Sequence, residues 1–144
     1  MLDRQMTVFY TDDDEEDLEF FKEVTDSLAK IELVTHSGGQ DLLQTLENPP
    51  PTPNILFLDL NMPGLNGFDV LERIRKKDEF KNFPIIIFTT SSDETLIEKG
   101  RQLGADYFIT KSGNFTQLRK SIEHALNIDW NTFARSKENF KYSA

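Results

Sequence analysis

A doubly wound α/β fold, a parallel sheet of five strands in the order 2-1-3-4-5 with five helices, is the architecture that three features of the sequence predict. Short apolar runs alternate with stretches of helical period along the whole chain, as in repeated βα units. The run Ile55-Leu56-Phe57-Leu58 is apolar without alternation, which marks a central strand buried on both faces. Right-handed crossovers and short connections then favour that strand order, in which the first and third strands lie side by side where the order reverses.

The elements follow in turn. Strand β1 is read as Thr7 to Thr11, ahead of the acidic run Asp12-Asp13-Asp14-Glu15-Glu16. Leu18, Phe21, Val24 and Leu28 recur at helical spacing and give α1 from about Glu16 to Lys30. Ile31 to Thr35 is β2, and α2 runs from about Asp41 to Glu47, ended by Pro49-Pro50-Pro51, which cannot continue a helix. Strand β3 is the Ile55 run ending on Asp59, and Pro63-Gly64-Leu65-Asn66-Gly67 turns the chain into α3, whose apolar side is Phe68, Val70, Leu71 and Ile74, ending near Lys77. Pro84 to Thr89 forms β4, the most β-branched run. Ser92 or Asp93 caps α4, with Leu96, Ile97 and Leu103 on its apolar face and Gly104 as its stop. Tyr107 to Thr110 is β5, and α5 carries Leu118, Ile122, Ala125 and Leu126. One domain covers 1–128, and 129–144 is a C-terminal extension. With Trp130, Phe133 and Phe140, that extension is too aromatic for a solvated linker, and a short helix is expected in part of it.

Composition narrows the function. The 144 residues carry a net charge of −9, which disfavours binding to a phosphate backbone. Arg73, Arg75, Lys76 and Lys77 do cluster, but Asp78 and Glu79 follow, and the cluster reads as a solvated helix end. No apolar run approaches the roughly twenty residues that span a bilayer, and the residues after Met1 lack a signal-peptide core, so the expected location is cytoplasmic with no membrane partner. The absence of cysteine removes thiolate metal sites and thiol nucleophiles.

The carboxyl edge of the predicted sheet gathers the polar residues. Asp12 and Asp13 follow β1, Asp59 ends β3, Thr89 ends β4 and Lys111 follows β5. Converging carboxylates repel unless a cation or protons intervene, and an all-oxygen set selects a hard ion such as Mg²⁺. A nucleophilic carboxylate, a metal, a hydroxyl and an ammonium are together the parts that phosphoryl transfer needs. His36 and His124 are placed far from this edge and read as structural or surface residues. Phe20 reads as a residue at the edge of the core, with an exposed docking anchor as the other reading.

At these residues the chain resembles the receiver domain of two-component response regulators, over roughly Thr7 to Leu126. An acidic pair after β1, an Asp after β3, a Thr or Ser after β4 and a Lys after β5 occur in that family in this order, and Asp59-Leu60-Asn61-Met62-Pro63-Gly64-Leu65-Asn66-Gly67-Phe68 matches it closely. The resemblance implies a flavodoxin-like fold, Asp59 as acceptor of a phosphoryl group from a sensor histidine kinase or histidine phosphotransfer protein, and Mg²⁺ as cofactor. It implies Asp13 as a direct metal ligand beside Asp59, Asp12 acting largely through water, and the Asn61 main-chain carbonyl as a further ligand. Thr89 and Lys111 would contact the phosphoryl oxygens, and Phe108 would be the switch aromatic that rotates inward as Thr89 moves. Output would be by docking, onward phosphotransfer or a homodimer through the α4-β5-α5 face, as in stand-alone receivers, with no enzymatic turnover beyond Asp59 itself. The connection from Lys77 to Phe83 and the run Phe88-Thr89-Thr90-Ser91-Ser92 look like the subgroup partnered with phytochrome-type kinases.

Two departures stand beside the match. Ser112 follows Lys111 where the family has Pro after a cis peptide, and a cis bond before a non-proline residue costs about 3–4 kcal/mol, which leaves the loop after β5 and the approach of Lys111 open. The acidic run is also longer than a pair, so Asp13 and Asp14 compete with Asp12 and Asp13 as the ligand pair; the latter keep Thr11 at the strand end in the family's register. Three alternatives stand beside this reading. A haloacid-dehalogenase-like phosphatase would need an Asp where Asn61 stands. A flavin-binding protein would need a phosphate cradle where the acidic run repels one. A receiver-like docking module would bind partners without being phosphorylated.

Overall fold

The computed structural model describes residues 5–28, 30–48 and 53–142. Five parallel strands stand in the order β2-β1-β3-β4-β5, as expected. They are β1 (Met6–Thr11), β2 (Ile31–His36), β3 (Ile55–Leu58), β4 (Ile85–Thr89) and β5 (Tyr107–Thr110). The helices are α1 (Glu15–Asp26), α2 (Gly39–Glu47), α3 (Gly67–Arg75), α4 (Glu94–Gln102) and α5 (Phe115–Leu126), with a 3-10 turn at Asp78–Phe80.

Because side chains alternate across a strand, the sheet builds two cores. Phe9, Leu56, Leu58, Ile85, Ile87 and Phe108 face one layer with Leu42, Val70, Leu71, Ile74 and Ile97 from α2, α3 and α4. Val8, Tyr10, Ile55, Phe57, Ile86, Phe88 and Ile109 face the other, with Phe21, Val24, Leu118 and Ile122 from α1 and α5. Both faces of β1, β3 and β4 are therefore covered, which is why these strands read as unbroken apolar runs.

Local chemistry sets the ends. Asp14 caps α1 by accepting from the Glu16 and Asp17 amides, Asn66 caps α3 through Asp69, Asp93 caps α4 through Thr95, and Asn114 caps α5 through Gln117. These caps all lie in loops that leave the carboxyl ends of strands. Gly104, at a φ of 104°, takes the left-handed turn after α4.

Four expectations are corrected. First, α1 stops at Asp26 instead of reaching Lys30: Ser27 closes the last turn through the Glu23 and Val24 carbonyls, and Lys30, at a φ of 66°, reverses the chain into β2. Second, Arg75 is not part of a solvated helix end. It donates to the carbonyls of Phe80, Phe83 and Gly104 and pairs with the buried Asp106 at 2.9 Å, tying α3 to the start of β5. Third, the short helix expected after residue 129 is not formed among the described residues. Residues 129–142 run through turns to a parallel bridge between Phe108 and Lys141, because the open edge of β5 offers backbone partners and the aromatic residues are drawn to opposite faces of the sheet. Fourth, His36 ends β2 beside Thr11, and its carbonyl accepts from the Asp12 amide, so it adjoins the acidic edge rather than lying far from it. The prolines 49–51, expected to end α2, lie outside the described residues.

Candidate functional site

The five polar residues singled out from the sequence meet at the carboxyl edge of the sheet. Asp59 follows β3 directly and its amide donates to the Thr11 carbonyl, while Asp12 follows β1 and its amide donates to His36, so the two strand ends hold both backbones in register. Asp12 and Asp59 are buried at 0% and 5% exposure, and Asp13 is exposed. One carboxylate oxygen from each of Asp12, Asp13 and Asp59 lies within 4.8 Å of the others. Asp14 is spent as the α1 cap, which favours Asp12 and Asp13 over Asp13 and Asp14 as the acidic pair.

Lys111 reaches this cluster from β5. Alternation places it on the same face as Tyr107 and Ile109, the face that Tyr10 and Asp12 share on β1. Its ammonium lies 2.5 Å from Asp12 Oδ2, 2.7 Å from Asp17 Oδ2 and 3.8 Å from Asp59 Oδ2. The Lys111 amide donates to the Thr89 carbonyl at 2.6 Å, so β4 and β5 are still joined where they deliver these two side chains. Ser112 therefore does not displace Lys111 from the site. Thr89 is fully buried, and the Asn61 side-chain amide approaches its hydroxyl at 3.5 Å.

Burial and charge set the protonation. Burial drives the Asp59 carboxyl up from 3.8 to about 7, the Lys111 ammonium opposes this, and the Asp12 charge adds to it. Burial works against the Lys111 ammonium, but hydrogen bonds to Asp12 and Asp17 and the charge of Asp59 outweigh it and hold the group above its ordinary range. Burial, reinforced by the charge of Asp12, raises the Tyr10 phenol, whose hydroxyl donates to Asp12.

The donor set fits a hard divalent cation: the converging atoms are carboxylate oxygens, with no nitrogen or sulfur ligand among them. Asp13 and Asp59 have the freer oxygens. Asp12 already accepts from Tyr10, from Lys111 and, through Oδ1, from the Asp14 amide.

Tyr10 and Asp17 are the members that sequence reasoning missed. Tyr10 precedes Asp12 by two positions on a strand, which is the same-face spacing, and that signal was legible. Asp17 was hidden in a run of acids that reads as solvated. Phe108 is fully buried, so its ring does not start from an exposed position. Its backbone is held by the C-terminal segment, since its amide donates to Phe140 and its carbonyl accepts from Tyr142. Phe20 packs partly against the core and stacks on the exposed Phe115, ring centres 5.0 Å apart.

Known proteins agree with this geometry. The family model described as the response regulator receiver domain matches residues 8–123. The response regulator Rcp1 of Synechocystis sp. is 34% identical over 73 residues, covering 51% of this chain and 50% of that protein. The chain thus spans about half the length of that curated relative. The crystal structure of the phosphorylated cyanobacterial phytochrome response regulator RcpA superposes with a TM-score of 0.80 at 26% identity, covering 90% of this chain and 96% of that one. The Mn²⁺-bound form of the response regulator Rcp1 gives 0.79 at 25% identity, covering 91% and 99%. With its strand order, its strand-end carboxylates and a family match over most of its length, the chain belongs to the response regulator receiver domain family.

Proposed function

We propose that this receiver domain is a phosphorylation-controlled switch in which Asp59 takes a phosphoryl group from a sensor histidine kinase or a histidine phosphotransfer protein. The observation that carries this reading is the convergence of Asp12, Asp13 and Asp59 oxygens within 4.8 Å, with the Lys111 ammonium 3.8 Å from Asp59. An Asp59 oxygen attacks phosphorus as the phosphorus–nitrogen bond to the donor histidine breaks, and that nitrogen keeps the electron pair and takes up a proton. Ionised Asp59 is the nucleophile, so the lowering influence of Lys111 on its carboxyl favours reaction near neutral pH.

Mg²⁺ would be held by Asp13, Asp59 and the Asn61 main-chain carbonyl, with Asp12 acting through water; bound there, it supplies positive charge to the phosphoryl oxygens. That the similar response regulator Rcp1 has a Mn²⁺-bound form supports a divalent cation as the cofactor. Lys111 and the Thr89 hydroxyl take the remaining oxygens. The chain acts on its own Asp59 and turns over no other substrate. Output is by docking, onward phosphotransfer or homodimer formation at the face formed by α4, β5 and α5. A receiver body at 1–128, an extension at 129–144 and a cytoplasmic location belong to the same reading; no helix among the described residues is long and apolar enough to cross a membrane.

The test is intact-mass analysis after incubation with acetyl phosphate and Mg²⁺. Wild type gains one phosphoryl mass, EDTA abolishes the gain, and Asp59→Asn shows none. Absence of an adduct in wild type would leave a docking module that works without phosphorylation.

A further inference from the structure

The face assigned to output is already covered, and by the chain itself. An edge strand presents a row of unpaired amides and carbonyls. At the outer edge of β5 the Phe108 amide donates to the Phe140 carbonyl at 2.8 Å, and the Tyr142 amide donates to the Phe108 carbonyl at 2.9 Å. Residues 130–142 straddle the strand. Trp130 and Phe133 pack edge-on to Tyr107, and Tyr142 lies against His124 of α5, with ring centres 5.9, 5.8 and 5.1 Å apart. On the other side Phe140, 4% exposed, enters the core beside Phe108 and Ile97, and Lys141 reaches Glu94 of α4 at 3.4 Å.

The packing of the segment against α4 itself is incomplete. A cleft of about 340 Å³ remains between the segment and α4, lined by Glu94, Glu98, Arg101, Lys137 and Glu138. On that side the segment rests on two backbone hydrogen bonds to Phe108, the buried Phe140 ring, an exposed ion pair from Lys141 to Glu94 and the ion pair of Arg135 with the buried Asp106.

We propose that residues 130–142 are a strap that masks the β5 edge, and that a phosphoryl group on Asp59 releases it. The inference rests on the phosphoacceptor reading of Asp59. The coupling is physical. Phe108 lies three residues before Lys111, and the Lys111 amide joins β5 to β4 at Thr89. A phosphoryl group draws the Lys111 ammonium and the Thr89 hydroxyl toward Asp59, and the strand end that carries them shifts with them. Both backbone hydrogen bonds between the strap and β5 are made to a single residue, Phe108, so a shift of that residue strains both together. Release leaves the Phe108 amide and carbonyl, now bonded to Phe140 and Tyr142, open to water.

Amide hydrogen exchange of the full chain, read at Phe108 and Tyr142 with and without acetyl phosphate and Mg²⁺, tests this, with intact mass measured on the same samples. Protection at the two amides falls about tenfold or more on phosphorylation, and amides of β1 and β3 are unchanged. Asp59→Asn shows no response, and Phe140→Ala shows the loss without phosphorylation. A phosphoryl adduct with unchanged protection overturns the strap and leaves the phosphoacceptor reading intact. No adduct overturns both.

Discussion

The Lys111 ammonium lies 2.5 Å from Asp12 Oδ2 across 99 residues of sequence, and the pair is buried at the edge where phosphoryl chemistry is assigned. It ties the end of β5 to the end of β1 and holds the ammonium 3.8 Å from Asp59 Oδ2.

Removing that cation leaves Asp12, Asp17 and Asp59 facing one another. Lys111→Met is expected to cost about 3 kcal/mol at pH 8, and added Mg²⁺ to restore part of the loss. Urea unfolding with and without Mg²⁺ measures both. An unchanged midpoint would show that the ammonium is not paired as described.

Asp59 gives the opposite sign. Its folded carboxyl titrates near 7 rather than 3.8, so between these values the folded state holds a proton that the unfolded chain has released. Stability from this group is full below about pH 4 and is lost as pH rises through 7. Asp59→Asn is therefore more stable than wild type at pH 8, by on the order of 2 kcal/mol, and matches it near pH 4. Mg²⁺ narrows the gap by binding wild type. Equal stability of the two proteins at pH 8 contradicts the buried carboxylate.

His36 titrates in the reverse sense. Burial lowers its imidazole below the ordinary value, and its Nε2 lies 3.1 Å from the Thr45 hydroxyl. The unfolded chain then binds a proton that the folded one refuses, so stability is present above about pH 6.5 and is lost as pH falls toward the folded value. His36→Gln flattens that acid-side loss in thermal melts between pH 7 and pH 5. A variant as acid-sensitive as wild type removes His36 as the cause.

Gly67 opens α3 where a Cβ would meet the Asp59 carbonyl and Leu60 Cα. Backbone cannot yield there as a flexible side chain would, so Gly67→Ala is expected to cost about 3 kcal/mol and to disturb the Asp59 loop. Gly113→Ala, with nothing within 4 Å, is the control and changes stability by less than about 0.5 kcal/mol. Thermal unfolding of the two variants separates close approach from a general loss of glycine.

Much of this was legible in advance. The strand order followed from the alternation of elements, and Asp12, Asp13, Asp59, Thr89 and Lys111 converge because each stands at or just past a strand's carboxyl end. What was hidden depends on pairing between distant segments. Arg75 looked like one charge in a basic cluster until Asp106, 31 residues on, claimed it. The strap could not be read because aromatic spacing at Trp130, Phe133 and Phe140 describes an apolar segment without saying that the β5 edge receives it. His36 was misplaced because its backbone and its side chain serve different neighbours.

The central claim is that Asp59 and no other carboxylate carries the phosphoryl group. Borohydride reduces an aspartyl phosphate to homoserine, which peptide mass spectrometry locates after incubation with acetyl phosphate and Mg²⁺. Homoserine at position 59 alone is the predicted result; homoserine at position 12 or 13, or at none, would contradict it.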